Sequence, residues 1–193
     1  MAEWTNRQRE IITASVEIIS TQGIQNLTIK TLSSRIKVTD GAIYRHFKSK
    51  EEILAAVAEL FKTSTTEILN EIISSSGSSI EKIKAFFMGR IRQFSREPGL
   101  VLVMFSEDIF KGHKELQKNI YETIHAHKKL LLEAIVHGQG DGLLEKVEPE
   151  HVFLVVMGAL RLLVTRWRGA DFGFNLLEEG EKLWLSLEKL ITV

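Results

Sequence analysis

Tyr44, Arg45, His46, Lys48 and Lys50 crowd into one short stretch of the chain. Together they offer a hydroxyl, a guanidinium, an imidazole and two ammonium groups, the donor set that phosphate oxygens take. Just ahead of them stand Thr39, Asp40, Gly41 and Ala42, all small. A backbone that carries only small side chains can come close to another surface, which a bulky residue at Gly41 would prevent. The chemistry on offer is therefore the binding of a polyanion rather than bond making. Other reactive sets are sparse. Cysteine is absent, which excludes disulfides, thiolate metal sites and a cysteine nucleophile. No Ser/His/Asp or paired-carboxylate arrangement emerges, so no enzyme and no cofactor are expected. His125 and His127, two apart, point to different faces of a helix. Glu133 and His137, four apart, share a face; a solvated helix surface is the simpler reading, and no metal is expected.

Composition agrees. The 193 residues are 44% hydrophobic and 26% charged, with a net charge of zero, an ordinary globular make-up. That charge is unevenly spread: residues 1–50 hold 8 Lys/Arg against 4 Asp/Glu, and residues 51–193 hold 17 against 21. A basic head on an acidic body follows. The N-terminus shows no basic segment leading into an apolar run. The most apolar stretch, Val152 to Val164, stops at Arg166 and Arg168, short of the roughly 20 residues a membrane span needs. The chain is expected in the cytoplasm, with no membrane partner.

Only helical periods run through the chain, which predicts an all-α fold of about nine helices. Thr5 to Gln8 reads as a capping box opening the first helix, and Gly23 stops it. Thr28 caps a short second helix carrying Ile29, Leu32 and Ile36 inward. After a break at Lys37-Val38, Thr39 caps a third, expected to run through Phe47. Ser49 to Glu52 opens a long fourth helix as another capping box. "SSSGSS" at residues 74–79 is a linker, and Ile80, Ile83, Phe87 and Ile91 mark the fifth helix. Pro98, Pro149 and Asn175 open the sixth, eighth and ninth, and the seventh spans about His113 to His137. The eighth and ninth carry more apolar surface than one small bundle needs, so a two-fold four-helix interface through these last two helices is expected. Residues 1–50 form a binding head and residues 51–193 a second helical domain.

Helices two and three have helix-turn-helix proportions, in which the second helix enters the major groove of double-stranded DNA with its N-terminal end nearest the bases. That places Thr39, Asp40, Gly41 and Ala42 at the base edges and Tyr44, Arg45, His46, Lys48 and Lys50 outward, toward phosphates. Helix N-termini add oriented N–H groups for the same anions.

The stretch "TIKTLSSRIKVTDGAIYRHFKSKEEIL" resembles the helix-turn-helix of the tetracycline-repressor (TetR/AcrR) family of bacterial transcription regulators. Its small-polar start, aliphatic residue, Tyr, His-Phe pair and Lys with acidic residues are all present, and the similarity spans roughly residues 5–60. By that resemblance Thr28, Tyr44, His46 and Lys50 contact phosphates, while Thr39, Gly41 and Arg45 approach bases. Asp40 departs from a phosphate-binding surface: either it accepts from a cytosine amino group or it serves the helix N-terminus. The resemblance further implies a homodimer on a palindromic operator, and a cavity in the body for a small-molecule effector. Met88, Met104, Phe105, Ile109, Tyr121, Phe153 and Met157 are the soft and aromatic candidates to line it, which suggests a hydrophobic effector releasing a repressor. A ligand-binding or protein-interaction module without specific DNA binding is the alternative.

Overall fold

Hydroxyl side chains open most of the early helices, because each can accept one of the backbone N–H groups that a helix start leaves orphaned. The computed structural model describes residues 4–104 and 114–193. Among these it contains nine α-helices: α1 (Asn6–Gln22), α2 (Ile29–Arg35), α3 (Asp40–Tyr44), α4 (Lys50–Ser74), α5 (Ser79–Arg96), α6 (Pro98–Met104), α7 (Lys114–Gly140), α8 (Pro149–Gly169) and α9 (Leu176–Ile191). A 3-10 turn, Ile24–Asn26, joins α1 to α2. The only extended pairing among the described residues is an isolated bridge between Leu144 and Thr192, so the fold is all-α as expected.

By internal contacts the chain forms two compact units, residues 1–64 with 97–121, and residues 65–96 with 122–193. In the first, Thr5 and Gln8 form the anticipated capping box, and Gly23 ends α1 at φ 84°, a backbone setting that glycine adopts freely. Ile11, Ile12, Ile18 and Ile19 of α1 are buried along with Leu27, Leu32, Ile43 and Phe47. Helix α1 packs on α2, on the 3-10 turn and on α6. The α6 approach is close: a Cβ placed on Gly99 would lie 2.4 Å from the Val16 carbonyl oxygen.

The second unit is built on α5, α8 and α9, each packed on the other two. Ile83, Phe86, Phe87, Ile91 and Phe94 bury the apolar stripe of α5. Trp184 of α9 sits against Phe87 with ring centres 5.7 Å apart. Trp167 at the end of α8 donates to the Phe174 carbonyl at 2.9 Å, which fixes the turn into α9. The loop after α7 is held by Glu145 N–H donating to Ile191 O at 3.0 Å.

Candidate functional site

Residues 28–50 fold into a surface whose backbone is fastened by its own side chains. The Thr28 hydroxyl accepts from Thr31 N–H at 3.0 Å, and the Thr31 hydroxyl donates to Asn26 O at 2.7 Å. Thr39 caps α3 by accepting from Ala42 N–H at 3.3 Å. Between α2 and α3 the chain reverses through Lys37 at φ 57°, and Val38 N–H returns to Ser33 O at 2.9 Å.

Helix α3 is shorter than its sequence suggests, ending at Tyr44 rather than Phe47. Two amides, those of His46 and Phe47, both donate to Ile43 O, at 2.9 and 3.0 Å. This tight turn drops Phe47 into the core and sends Arg45 and Lys48 outward as exposed residues. Tyr44 keeps 53% of its surface exposed, an uncommon display for an aromatic ring with a hydroxyl tip. His46 is half-buried, and Thr39 and Gly41 are exposed at the N-terminal end of α3. A Cβ on Gly41 would meet only the Thr39 hydroxyl, at 3.9 Å, so nothing inside the protein requires glycine there.

Two residues hold internal partners that sequence did not reveal. The Asp40 carboxylate accepts from the Ser33 hydroxyl of α2 while standing in the first turn of α3. It thus links the two helices of the motif and meets the positive helix end. Lys50 is half-buried and its Nζ donates to Ile24 O at 3.3 Å, tying the start of α4 to the 3-10 turn. The Ser49–Glu52 capping box is half formed: Glu52 N–H donates to Ser49 Oγ at 3.3 Å, whereas the Glu52 carboxylate accepts from Lys48 N–H at 2.6 Å.

The candidate lining residues of the body divide. Met88 on α5 and Phe153 on α8 are buried, Met157 is half-buried, and the Lys128 ammonium lies 5.9 Å from the Phe153 ring centre. Tyr121 is 73% exposed. Phe105, Ile109 and the Met104 side chain lie outside the described residues. His125 is exposed and His127 buried, in keeping with their two-residue spacing. Glu133 and His137 border a half-open groove of about 530 Å³ with Ile72, Lys82 and Asp141, where His137 Nδ1 is 3.0 Å from Asp141. Among the described residues no group of three such side chains is placed to hold a metal ion.

Sequence reasoning did not bring together five buried polar residues of the second unit, Thr65, Arg90, Gln93, Thr123 and His127. A signal existed, since Arg90 stands four after Phe86 and four before Phe94, on a stripe that is otherwise apolar.

Two family models match the chain. Residues 11–57 match the model for bacterial regulatory proteins of the tetR family, and residues 61–189 match that for the C-terminal region of YsiA-like proteins. The nucleoid occlusion factor SlmA of Photobacterium profundum is 24% identical over 184 residues, covering 93% of each chain. Among solved structures, the ketosteroid transcriptional regulator KstR2 of Mycobacterium tuberculosis superposes with a TM-score of 0.84 at 16% identity, over 99% of this chain and 97% of that one. The regulator FadR of Bacillus subtilis, in complex with stearoyl-CoA, gives 0.76 at 23% identity, over 93% and 96%. No helix among the described residues is long and apolar enough to cross a membrane. The chain belongs to the tetR family of bacterial regulatory proteins and is a DNA-binding transcriptional regulator.

Proposed function

We propose that the chain is a cytoplasmic, homodimeric repressor that grips a palindromic operator through residues 1–50 and is released when an apolar, acyl-type effector enters residues 51–193. The observation that carries the reading is the display at α3: exposed Thr39 and Gly41 at the helix start, then Tyr44, Arg45 and Lys48 exposed just beyond. Thr28 and His46 flank them as further phosphate donors. Asp40 is spoken for by Ser33, which favours a role within the head over reading a cytosine. Lys50 keeps spare N–H donors beside its bond to Ile24, so it serves the fold and a phosphate together.

The effector class is suggested by a similar regulator that holds stearoyl-CoA, and by the buried apolar residues Met88 and Phe153. Such a ligand shifts the DNA-binding equilibrium only by binding the two states unequally. For the dimer, α8 leaves Leu154, Val155 and Leu162 exposed and α9 leaves Leu185 and Leu190 exposed. Leu154, Val155 and Leu162 fall on one side of α8 by helical spacing, and apolar side chains left exposed together in this way mark an association face. Leu162, 63% exposed, is the sharpest probe: Leu162→Glu will convert the dimer to monomer in light scattering, and a variant that stays dimeric would place the interface elsewhere.

Operator binding is tested by fluorescence anisotropy across a salt series on an inverted-repeat duplex. Lys48→Ala will weaken binding at every sequence and reduce the slope of log K against log salt by about 1 per protomer. Tyr44→Phe will weaken binding without changing that slope, since it removes a neutral donor. Arg45→Ala will relax discrimination by roughly 1–3 kcal/mol at the base it reads. Binding that ignores salt and all three substitutions would remove the head assignment.

A further inference from the structure

Helix α5 carries one charge on its buried stripe. Arg90 is 2% exposed, and its guanidinium donates to Thr65 Oγ1 of α4 at 2.7 Å and to the Gln93 side-chain oxygen. Its carbon centre lies 4.7 Å from the middle of the Phe94 ring. Burial pushes the guanidinium down to about 9, which leaves it cationic at neutral pH. From α7, His127 comes edge-on to Phe86 with ring centres 5.0 Å apart, and it is 4% exposed. Its Nε2 is fully buried and has no hydrogen-bond partner. Thr123, one turn earlier on the same face, is buried as well.

A core does not need this arrangement. A buried polar atom left unsatisfied costs about 1–3 kcal/mol, and replacing buried charge by apolar residues of similar volume is often neutral or stabilising. Native structures satisfy their buried polar atoms so consistently that an orphan calls for a reason. A neutral imidazole with its proton on the unpartnered Nε2, beside a guanidinium, offers two donors to a guest that brings an acceptor oxygen. The aromatic rings of Phe86 and Phe94 on either side suit the apolar carbons behind such an oxygen.

We infer that Arg90 and His127, positioned by Thr65 and Gln93, form the recognition end of the effector site, where they donate to the acyl oxygen of an apolar-tailed ligand. The inference rests on the acyl-effector reading and adds to it the residues that would distinguish an acyl head from a plain hydrocarbon. A free carboxylate and a thioester both present an acceptor oxygen, anionic in the first and neutral in the second, and Arg90 favours the one with more negative charge. His127 donates from Nε2 in its neutral form, because burial and the Arg90 charge hold its pKa down to about 3.

The experiment uses the full chain and three probes: dodecanoate, dodecanoyl-coenzyme A and dodecan-1-ol, each titrated by calorimetry and by release of a labelled operator. At least one acyl probe is expected to bind tenfold or more tightly than the alcohol, and the better acyl arm identifies the head. His127→Phe keeps a ring against Phe86 and removes the orphan nitrogen. It is expected to melt no lower than the parent while its preference for acyl over alcohol falls below threefold. Arg90→Met is expected to lose the preference altogether. Equal binding of alcohol and acyl probes, or a preference that survives in folded His127→Phe, overturns the assignment while leaving an apolar effector in place. If no probe binds or releases operator, the acyl-effector reading falls together with it.

Discussion

Gly99→Ala will lower the melting temperature by about 2–12 °C, whereas Gly41→Ala will leave it unchanged or raise it slightly. Helix propensity alone predicts a gain of up to ~1 kcal/mol in both cases, since each glycine lies within a helix. Packing separates them. At position 99 the new methyl would sit 2.4 Å from the Val16 carbonyl oxygen, 3.0 Å from its Cγ1 and 3.2 Å from Ser20 Cβ. The first of these is backbone, which cannot rotate away, so α6 must lift off α1. Overpacking of this kind costs about 1–3 kcal/mol, and in a chain of this length each kcal/mol moves the midpoint by roughly 2–4 °C. At position 41 the methyl meets open space apart from the Thr39 hydroxyl. Differential scanning calorimetry of the two variants beside the parent is the measurement, and a Gly99→Ala chain that melts with the parent would refute the α1–α6 packing. The same pair divides function from fold. Gly41→Leu will fold normally yet lose operator binding, because its side chain would stand between α3 and the groove floor.

The second large effect is a loss of stability in mild acid that belongs to His127. Burial, aided by the positive charge of Arg90, lowers its pKa from the ordinary 6.5 to about 3. Below pH 6.5 the unfolded chain therefore takes up a proton that the folded chain refuses. Stability is fully present above that pH and declines as pH falls toward 3, by about 1.4 kcal/mol for each pH unit. Between pH 6.5 and 5.0 the deficit amounts to roughly 2 kcal/mol. Glu81 and Glu178 titrate below their usual 4.5, away from this window, whereas burial raises Glu97 toward it. Glu97 then adds stability as pH falls, which opposes His127 and is common to the parent and the His127→Phe chain. Urea unfolding at pH 7.0, 6.0 and 5.0 will show a falling midpoint in the parent and a much flatter series in His127→Phe. Parallel slopes for the two proteins would mean that His127 is not the buried neutral group described.

Much of the frame was legible because its signals are local. Thr5, Thr28 and Thr39 each cap the helix anticipated for them, and Gly23, Pro149 and Asn175 punctuate the chain as their chemistry dictates. Where sequence failed, the deciding partner was distant. Nothing between Tyr44 and Phe47 is a helix breaker; α3 stops because Phe47 finds a place in the core. Asp40 carries an open question in the sequence, and its partner Ser33 becomes visible only once α2 and α3 are set against each other. Lys50 looks like a phosphate donor alone until the 3-10 turn brings the Ile24 carbonyl to it. The polar cluster of the body was hidden for a similar reason. Thr65, Arg90 and His127 sit on three different helices, and only the stray arginine on an apolar stripe betrays them in one dimension.

The fastening of residues 28–50 has a thermodynamic consequence. Thr28 to Thr31, Thr31 to Asn26, Ser33 to Asp40 and Lys50 to Ile24 hold the recognition surface before any DNA arrives. The conformational entropy of ordering those residues is spent when the chain folds, not when it meets its operator. A preorganised surface keeps more of its contact energy as affinity, and its binding heat capacity reports buried area rather than coupled folding. What an effector must overcome is then the geometry of a rigid head, not the reluctance of a loose one to assemble.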